Sequence, residues 1–374
     1  MKLVKGMLAA AMLLGAAPAA AVLGPVRPAE AAAAQATAVQ ANMSETLVAA
    51  IEKRASTVTL SYTGTKTALK NDLNRAIAAA LASDDYLHYI VKSYATSAVI
   101  SGTSAKITVK LTYWESLAQT KQVRQKVAQA LDEILTAGMN DHQKAKTIHD
   151  WIVTNIAYDT TLVSHSAFDG LSKGRTVCQG YALLTYEMMR QAGIPVRIVE
   201  GSSRGQSHAW NLVRLGGQWY HMDTTWDDPV PDVKGRVVYN YYNVTDAQLR
   251  ADHSWKAANY PKAVTAYDAT LRALAKTDAS RVAFYDRLYL DMGFAYMNED
   301  YTVTTLQALK DKISAAIEQG ETSVVLRYTR GATLASDMKK ALAAQTGITR
   351  YSYTYESFAR TTLNDKLVRL TLVY

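Results

Sequence analysis

Cys178, His208 and Asp223 have the types and local settings that nucleophilic acyl transfer needs. Cys178 is the single cysteine in a chain of 374 residues. It follows Gly174-Arg-Thr-Val177 and opens a run from Gln179 to Gly193 that reads as a helix, with the cysteine in its first turn and Gly193 as its stop. A thiol in that position lies at the positive end of the helix dipole, beside N–H groups that no preceding turn can accept. Such a place favours the thiolate and supplies donors for an oxyanion.

The other two residues lie on neighbouring strands. A strand from Pro195 to Glu200 and a loop from Gly201 to Ser207 lead into His208-Ala-Trp-Asn-Leu-Val-Arg-Leu215; then come Gly216-Gly217 and Gln218-Trp-Tyr-His-Met-Asp223. A Gly-Gly pair between two alternating runs is a two-residue hairpin signal. If Leu215 pairs with Gln218, Trp210 faces Asp223, and His208, on the same face as Trp210, becomes the diagonal neighbour of Asp223 at about 7–8 Å. A slip of register by two residues keeps the shared face. The hairpin thus presents an imidazole beside a carboxylate that can orient it. Folding the Cys178 helix against this sheet would complete a nucleophile, a base and an orienting acid.

Three blocks, Val177-Cys178-Gln-Gly-Tyr-Ala, His208-Ala-Trp-Asn and Trp219-Tyr-His-Met-Asp223-Thr-Thr-Trp-Asp-Asp-Pro229, resemble the core of the transglutaminase-like superfamily, the papain-related cysteine enzymes. The similarity runs over roughly Lys144 to Pro229. Tyr239-Asn-Tyr-Tyr-Asn-Val-Thr-Asp246 and Asp252-His-Ser-Trp255 resemble a tail found after that core in secreted bacterial members. The resemblance implies Cys178 as nucleophile, His208 as general base and acid, and Asp223 as the holder of the imidazole tautomer. The implied chemistry is thiolate attack on a carboxamide or peptide carbonyl, loss of an amine, and resolution of the thioester by water or by an amine. Water makes a peptidase or deamidase, and lysine makes a crosslinking enzyme. No acidic cluster has calcium-loop spacing, so the calcium dependence of some relatives is not carried over, and no cofactor or metal is expected.

Other candidates are weighed against this set. Tyr158, Gln179 and Trp210 are read as oxyanion donors or cleft wall. Trp210, Trp219 and Trp226 read as core and cleft wall rather than a cofactor site. His221 shares a strand face with Asp223 but lies opposite Leu212, where packing or a local bond is expected. His149, His165 and His253 have no partner at readable spacing and read as structural or exposed. Asp227 and Asp228, before Pro229, read as a turn.

The elements that must position these groups follow from the wider pattern. The composition, 49% hydrophobic and 20% charged, is that of a globular protein and excludes a disordered or collagen-like chain. One cysteine excludes an intramolecular disulfide and any cysteine-cluster metal site. The net charge of +8 is diffuse, with no motif that would aim it at a nucleic-acid groove; an anionic cell-wall polymer or lipid surface suits it better. Lys2 and Lys5 precede a short apolar, alanine-rich stretch, which reads as a secretory signal over residues 1–36 with cleavage sites between Ala20 and Ala36, or alternatively as an uncleaved anchor. Nothing later is long and apolar enough to suggest a membrane span.

Both ends of the chain carry related segments. Thr57-Val-Thr-Leu-Ser-Tyr-Thr63 matches Ser323-Val-Val-Leu-Arg-Tyr-Thr329, Asp72 to Ala79 matches Asp337 to Ala344, and Val109-Lys-Leu-Thr112 matches Val368-Arg-Leu-Thr371. Each copy reads as a helix (Glu45 to Ala55; Leu306 to Glu318), a strand, a second helix and two more strands, with Tyr89 to Tyr94 and Tyr351 to Tyr355 as the third element. Between them, apolar spacing predicts a helix from Leu117 that Gly138 ends, a helix capped by Asp141, and a helical connector over Thr265 to Asp291. The expected architecture is therefore α+β: a signal (1–36), an N-terminal module (37–115), a papain-like core with the cysteine helix packed on an antiparallel sheet (116–264), a helical connector (265–300) and a C-terminal repeat of the first module (301–374). The expected function is a secreted, cell-surface cysteine acyltransferase or hydrolase acting on protein or peptide amides. The alternative is a non-catalytic wall or adhesion protein that keeps the core as scaffold and binds through its modules.

Overall fold

The structure, a computed structural model, describes residues 28–228, 230–358, 360–361 and 364–374, with side chains from residue 38 onward. Most of the expected signal lies outside the described residues. Its last part, from Pro28, begins helix α1 (Pro28–Glu52), so that helix starts well before Glu45 and the boundary drawn at residue 36 falls inside it. No described helix is long and apolar enough to cross a membrane.

Strands β1 (Thr57–Thr63), β2 (Val91–Ser101) and β3 (Ser104–Tyr113) form an antiparallel sheet in the order β1-β3-β2, with α1 and α2 (Lys66–Leu81) on one face. Its core is Leu60, Ile77, Ile107, Val109 and their neighbours. Tyr89 belongs to a short helix, α3 (Asp85–Ile90), rather than to a strand: Asp84 caps it by accepting the Leu87 N–H. Tyr86 and Ile90 of α3 pack into the central core, so this helix joins the first sheet to the rest of the chain.

The central core wraps α7 (Cys178–Gln191), whose residues from Gly180 to Met189 are all buried, as expected of a helix with apolar residues on every side. Around it lie α4 (Leu117–Ile134), α5 (Asp141–Asn155), α6 (Ala167–Lys173) and a five-stranded antiparallel sheet. The strands are β4 (Val196–Ser203), β5 (Gln206–Leu215), β6 (Gln218–Met222), β7 (Tyr242–Val244) and β8 (His253–Trp255), in the order β8-β4-β5-β6-β7. Two sequence boundaries shift. Helix α4 stops at Leu135, which is already extended, not at Gly138, and α5 is capped by Asn140 in a reciprocal box with Gln143, leaving Asp141 inside its first turn. The helical connector, α8 (Tyr267–Thr277) and α9 (Val282–Asp291), packs Tyr267, Leu271, Tyr285 and Leu288 into the central core.

The last sheet contains β9 (Ser323–Tyr328), β10 (Arg350–Ser357) and β11 (Lys366–Val373), ordered β9-β11-β10, with α10 (Leu306–Glu318) and α11 (Leu334–Ala343) on its buried side. Leu60 pairs with Ile107, and its sequence match Leu326 pairs with Val368. The structural partner of Val368 is therefore Ile107, two residues before the Val109 suggested by sequence. Side chains on a strand alternate with period two, so a two-residue offset leaves the pattern of apolar positions unchanged.

Candidate functional site

Cys178 is the first residue of α7, and three local features fix it there. The turn of helix after Val177 requires Gly180: a Cβ at that position would fall 1.9 Å from Thr176 Oγ1. Thr176 in turn donates to the Ser164 and Ser166 carbonyls at 3.0 and 3.2 Å. Asn211 Nδ2 of β5 donates to the Ala182 carbonyl at 3.1 Å, tying the helix to the sheet that carries His208. The Cys178 and Gln179 N–H groups stand at the helix start, where no earlier turn can accept them.

The hairpin has the register that its glycines imply. Leu215 pairs with Gln218 and Asn211 with Met222, and Gly216 and Gly217 have φ of 55° and 82°, the mirror-image turn that matches strand twist. Asp223 follows the end of β6, and His208 Nε2 lies 2.6 Å from Asp223 Oδ2. With Nε2 committed to the carboxylate, Nδ1 is the nitrogen left for the Cys178 thiol, which lines the same cleft. Burial opposes the charged imidazole, but Asp223, with a smaller contribution from Cys178, outweighs it and holds the His208 pKa up at about 10. Asp223 is 1% exposed; burial pushes its carboxyl up, yet His208 and His253 overcome this and keep it well below the usual carboxylate range.

Four donors converge on Asp223. Oδ2 receives His208 Nε2 and, at 3.1 Å, His253 Nε2; Oδ1 accepts the backbone N–H groups of Thr225 and Trp226 at 3.0 and 3.2 Å. His253 is thus a site residue that sequence spacing did not expose. It lies 30 positions from Asp223, on a strand that joins the far edge of the sheet. The atoms His208 Nε2, Asp223 Oδ2 and His253 Nε2 lie within 4.8 Å of one another. The 2.6 Å between the first two is a proton-sharing distance, shorter than the gap between two ligands of a tetrahedral zinc at about 2.0 Å from the ion. This set reads as a hydrogen-bonded relay.

A cleft of about 520 Å³ opens over Cys178 and His208. Tyr158 lines it from a two-residue strand; burial and then the nearby Cys178 raise its phenol pKa. Gln179 also faces the cleft, but its side-chain amide donates to the Tyr89 carbonyl at 2.5 Å, which anchors α7 to α3. Trp210 is not cleft wall. It is 1% exposed and lies behind His208, their rings 5.8 Å apart and nearly parallel, packed in a small cluster with Val199, Leu212 and Val244. Its Nε1 donates to His221 Nδ1 at 2.9 Å; an indole nitrogen only donates, so His221 carries its proton on Nε2, toward Asp246 at 2.9 Å. Burial first, despite Asp246, lowers the His221 pKa to about 4, so this imidazole is neutral and packs as expected. His149 is buried between Asp150 and Asp227 at 3.0 and 3.1 Å, and His165 stacks on Trp114 in the cleft at 4.1 Å. Asp227 and Asp228 do form the turn, and both are buried, Asp228 receiving the Tyr181 hydroxyl.

The region before the core contributes to the same cleft. His88, Tyr89 and Lys92 line it, and the Lys92 ammonium lies 4.4 Å above the Trp114 ring.

A family model described as the transglutaminase-like superfamily matches residues 128–224. Kyphoscoliosis peptidase of Mus musculus is 28% identical over 182 residues, covering 41% of this chain and 28% of that protein. The Homo sapiens protein of the same name is 30% identical over 166 residues, covering 37% and 25% respectively. The chain therefore spans about a quarter of the length of these curated relatives. A solved structure described as a TGase is similar at 13% identity and a TM-score of 0.25, over 35% of this chain and 43% of that one.

Proposed function

We propose that this protein is a thiol-dependent enzyme acting on protein or peptide amides, with Cys178 as nucleophile, His208 as acid and base, and Asp223 as the group that orients it, a reading supported by the match of residues 128–224 to the transglutaminase-like superfamily model. The observation that carries the reading is the 2.6 Å bond from His208 Nε2 to Asp223 Oδ2, which turns the other ring nitrogen toward the thiol at the head of α7. With the proton of the pair already on His208, the sulfur attacks the amide carbonyl as a thiolate beside the imidazolium. The resulting oxyanion meets the N–H groups at the helix start, and Tyr158 stands in the same cleft as a further donor. The C–N bond breaks as the His208 imidazolium protonates the departing amine, leaving a thioester at Cys178. Water or a second amine then attacks the thioester, giving up its proton to His208 and releasing the sulfur.

The names of the curated relatives support peptide-bond hydrolysis, and the family supports transfer as well. Incubating the full-length protein with a fluorescent amine and a glutamine-rich protein, then reading masses, separates the outcomes. Label incorporation means transfer, a one-dalton gain means deamidation and fragments mean proteolysis. All three must vanish in Cys178→Ser; loss of none of them in that variant overturns the reading and leaves the scaffold alternative.

We propose in addition that the segments flanking the core are one duplicated module. Tyr62 donates to Asp72 at 2.9 Å, and the matching Tyr328 donates to Asp337 at 2.7 Å. Tyr113 donates to the Ala55 carbonyl at 2.9 Å, and Tyr374 donates to the Glu321 carbonyl at 2.8 Å, at equivalent distances before β1 and β9. The lysine-led apolar start supports export, and the net charge of +8 supports an anionic wall polymer as the surface that the modules meet.

A further inference from the structure

We propose that His253 is a positioning residue of this site: a permanently charged imidazolium, clamped between Asp223 and Asp252, that fixes the Asp223 carboxylate and shares its charge with His208. The inference rests on the acyl-transfer reading above. His253 Nε2 lies 3.1 Å from Asp223 Oδ2, and His253 Nδ1 lies 2.6 Å from Asp252 Oδ1. Ionised carboxylate oxygens only accept, so both ring nitrogens must carry protons and the ring is positive. His221 is the internal contrast, with one nitrogen forced to accept from an indole and its ring neutral.

The surroundings keep His253 charged and in place. Its side chain is fully buried. Burial alone would discharge it, but the two carboxylates outweigh burial and raise its pKa. Asp252 is itself held ionised: the Tyr241 hydroxyl donates to its Oδ2 at 2.6 Å and Arg204 lies 3.4 Å from the same oxygen. The other groups facing the ring are His208, at 5.4 Å between ring centroids, the neutral His221, and the aromatic rings of Trp210, Trp226 and Tyr241. Gly201 makes this placement possible. It pairs with Trp255, and a Cβ there would fall 2.1 Å from the Ser254 carbonyl, so only glycine lets β8 close onto β4 and carry His253 under Asp223.

Two effects on the reaction follow. With Oδ1 held by two backbone N–H groups and Oδ2 held by His253, the carboxylate cannot rotate, and its remaining lone pair stays aimed at His208. The positive charge also offsets part of the pull of Asp223, so the His208 imidazolium can release its proton to the leaving amine.

The test uses the full-length protein and two readouts. In a ring-nitrogen correlation spectrum at pH 8, His253 should show both nitrogens protonated, and Asp252→Asn should remove one of those protons. In His253→Gln, the side chain keeps an N–H donor for Asp223 but loses the charge. The pH profile of Cys178 alkylation by iodoacetamide should then move toward alkaline pH by about half a unit or more, because removing a nearby positive charge makes every proton in the cluster harder to lose. Asp252→Asn should move it in the same direction. A residue that serves only packing would change the melting temperature and leave the profile in place. A His253 ring with one bare nitrogen at pH 8, or a His253→Gln profile superimposed on that of the wild type, overturns the proposal. If wild-type Cys178 reacts no faster folded than unfolded, it is the acyl-transfer reading that fails.

Discussion

Asp223→Asn preserves shape and removes one charge, and its consequence can be worked out atom by atom. The two backbone N–H groups on Oδ1 cannot turn away, so the amide oxygen must take that side and the amide nitrogen must replace Oδ2. A donor then faces His208 Nε2 and His253 Nε2, which are donors themselves. The imidazoles must yield. His208 loses its Nε2 proton and keeps one on Nδ1, the nitrogen turned to the thiol, where it can no longer act as base. The rise of the His208 pKa from 6.5 to about 10 measures what is at stake. At 1.36 kcal/mol for each tenfold, it amounts to about 5 kcal/mol, shared between Asp223 and Cys178. We expect turnover to fall on the order of 10³-fold, less than in Cys178→Ser, with the fold retained by circular dichroism. The assay is amine incorporation or fragment release, measured beside the alkylation rate of Cys178. A variant that keeps turnover within tenfold of the wild type would refute the claim that Asp223 sets the tautomer and charge of His208.

Further outcomes follow from the same geometry. The His208 pKa is raised in the folded state, so the stability its charge contributes is fully present below about pH 6.5 and is lost as pH rises through about 10; thermal melts of wild type and His208→Gln should therefore converge over that window. Gly180→Ala forces a methyl against Thr176 and should cost about 1–3 kcal/mol by chemical denaturation, together with most of the Cys178 reactivity. Tyr62→Phe and Tyr328→Phe each remove one buried bond to a carboxylate and should cost about 1–3 kcal/mol apiece, with additive effects in the double variant if the two modules are separate bodies. Strong coupling between those two positions would count against the modular account.

What the sequence made legible was governed by local periodicity. Cys178 at a helix start and the hairpin pairing of Leu215 with Gln218 depend on neighbours within a few residues, and both appear where the pattern puts them. His253 depends on a strand that crosses to the sheet's far edge, a long-range pairing that no spacing rule reveals; the one local trace was the Asp252-His-Ser-Trp255 block. Aromatic residues suit both cleft and core, so the sequence leaves Trp210 between the two, and its buried bond to His221 shows which. The two-residue offset between β3 and β11 was invisible because period-two alternation tolerates it. Tyr89 followed the tyrosine-rich pattern of a strand, but the Asp84 cap diverted it into α3, where its carbonyl meets Gln179.

The central claim is that Cys178 is a nucleophile armed by His208, and one rate tests it. Cys178 is the single cysteine, so one carbamidomethyl adduct in the intact mass reports on it alone. The measurement is the alkylation rate at pH 6, where a free cysteine is almost wholly protonated, in the native protein, in the unfolded protein and in His208→Ala. The account predicts a native rate at least about tenfold above both of the others, because only the folded pair shares its proton across the sulfur and the imidazole. A native rate equal to that of His208→Ala, or modification only after unfolding, would contradict it.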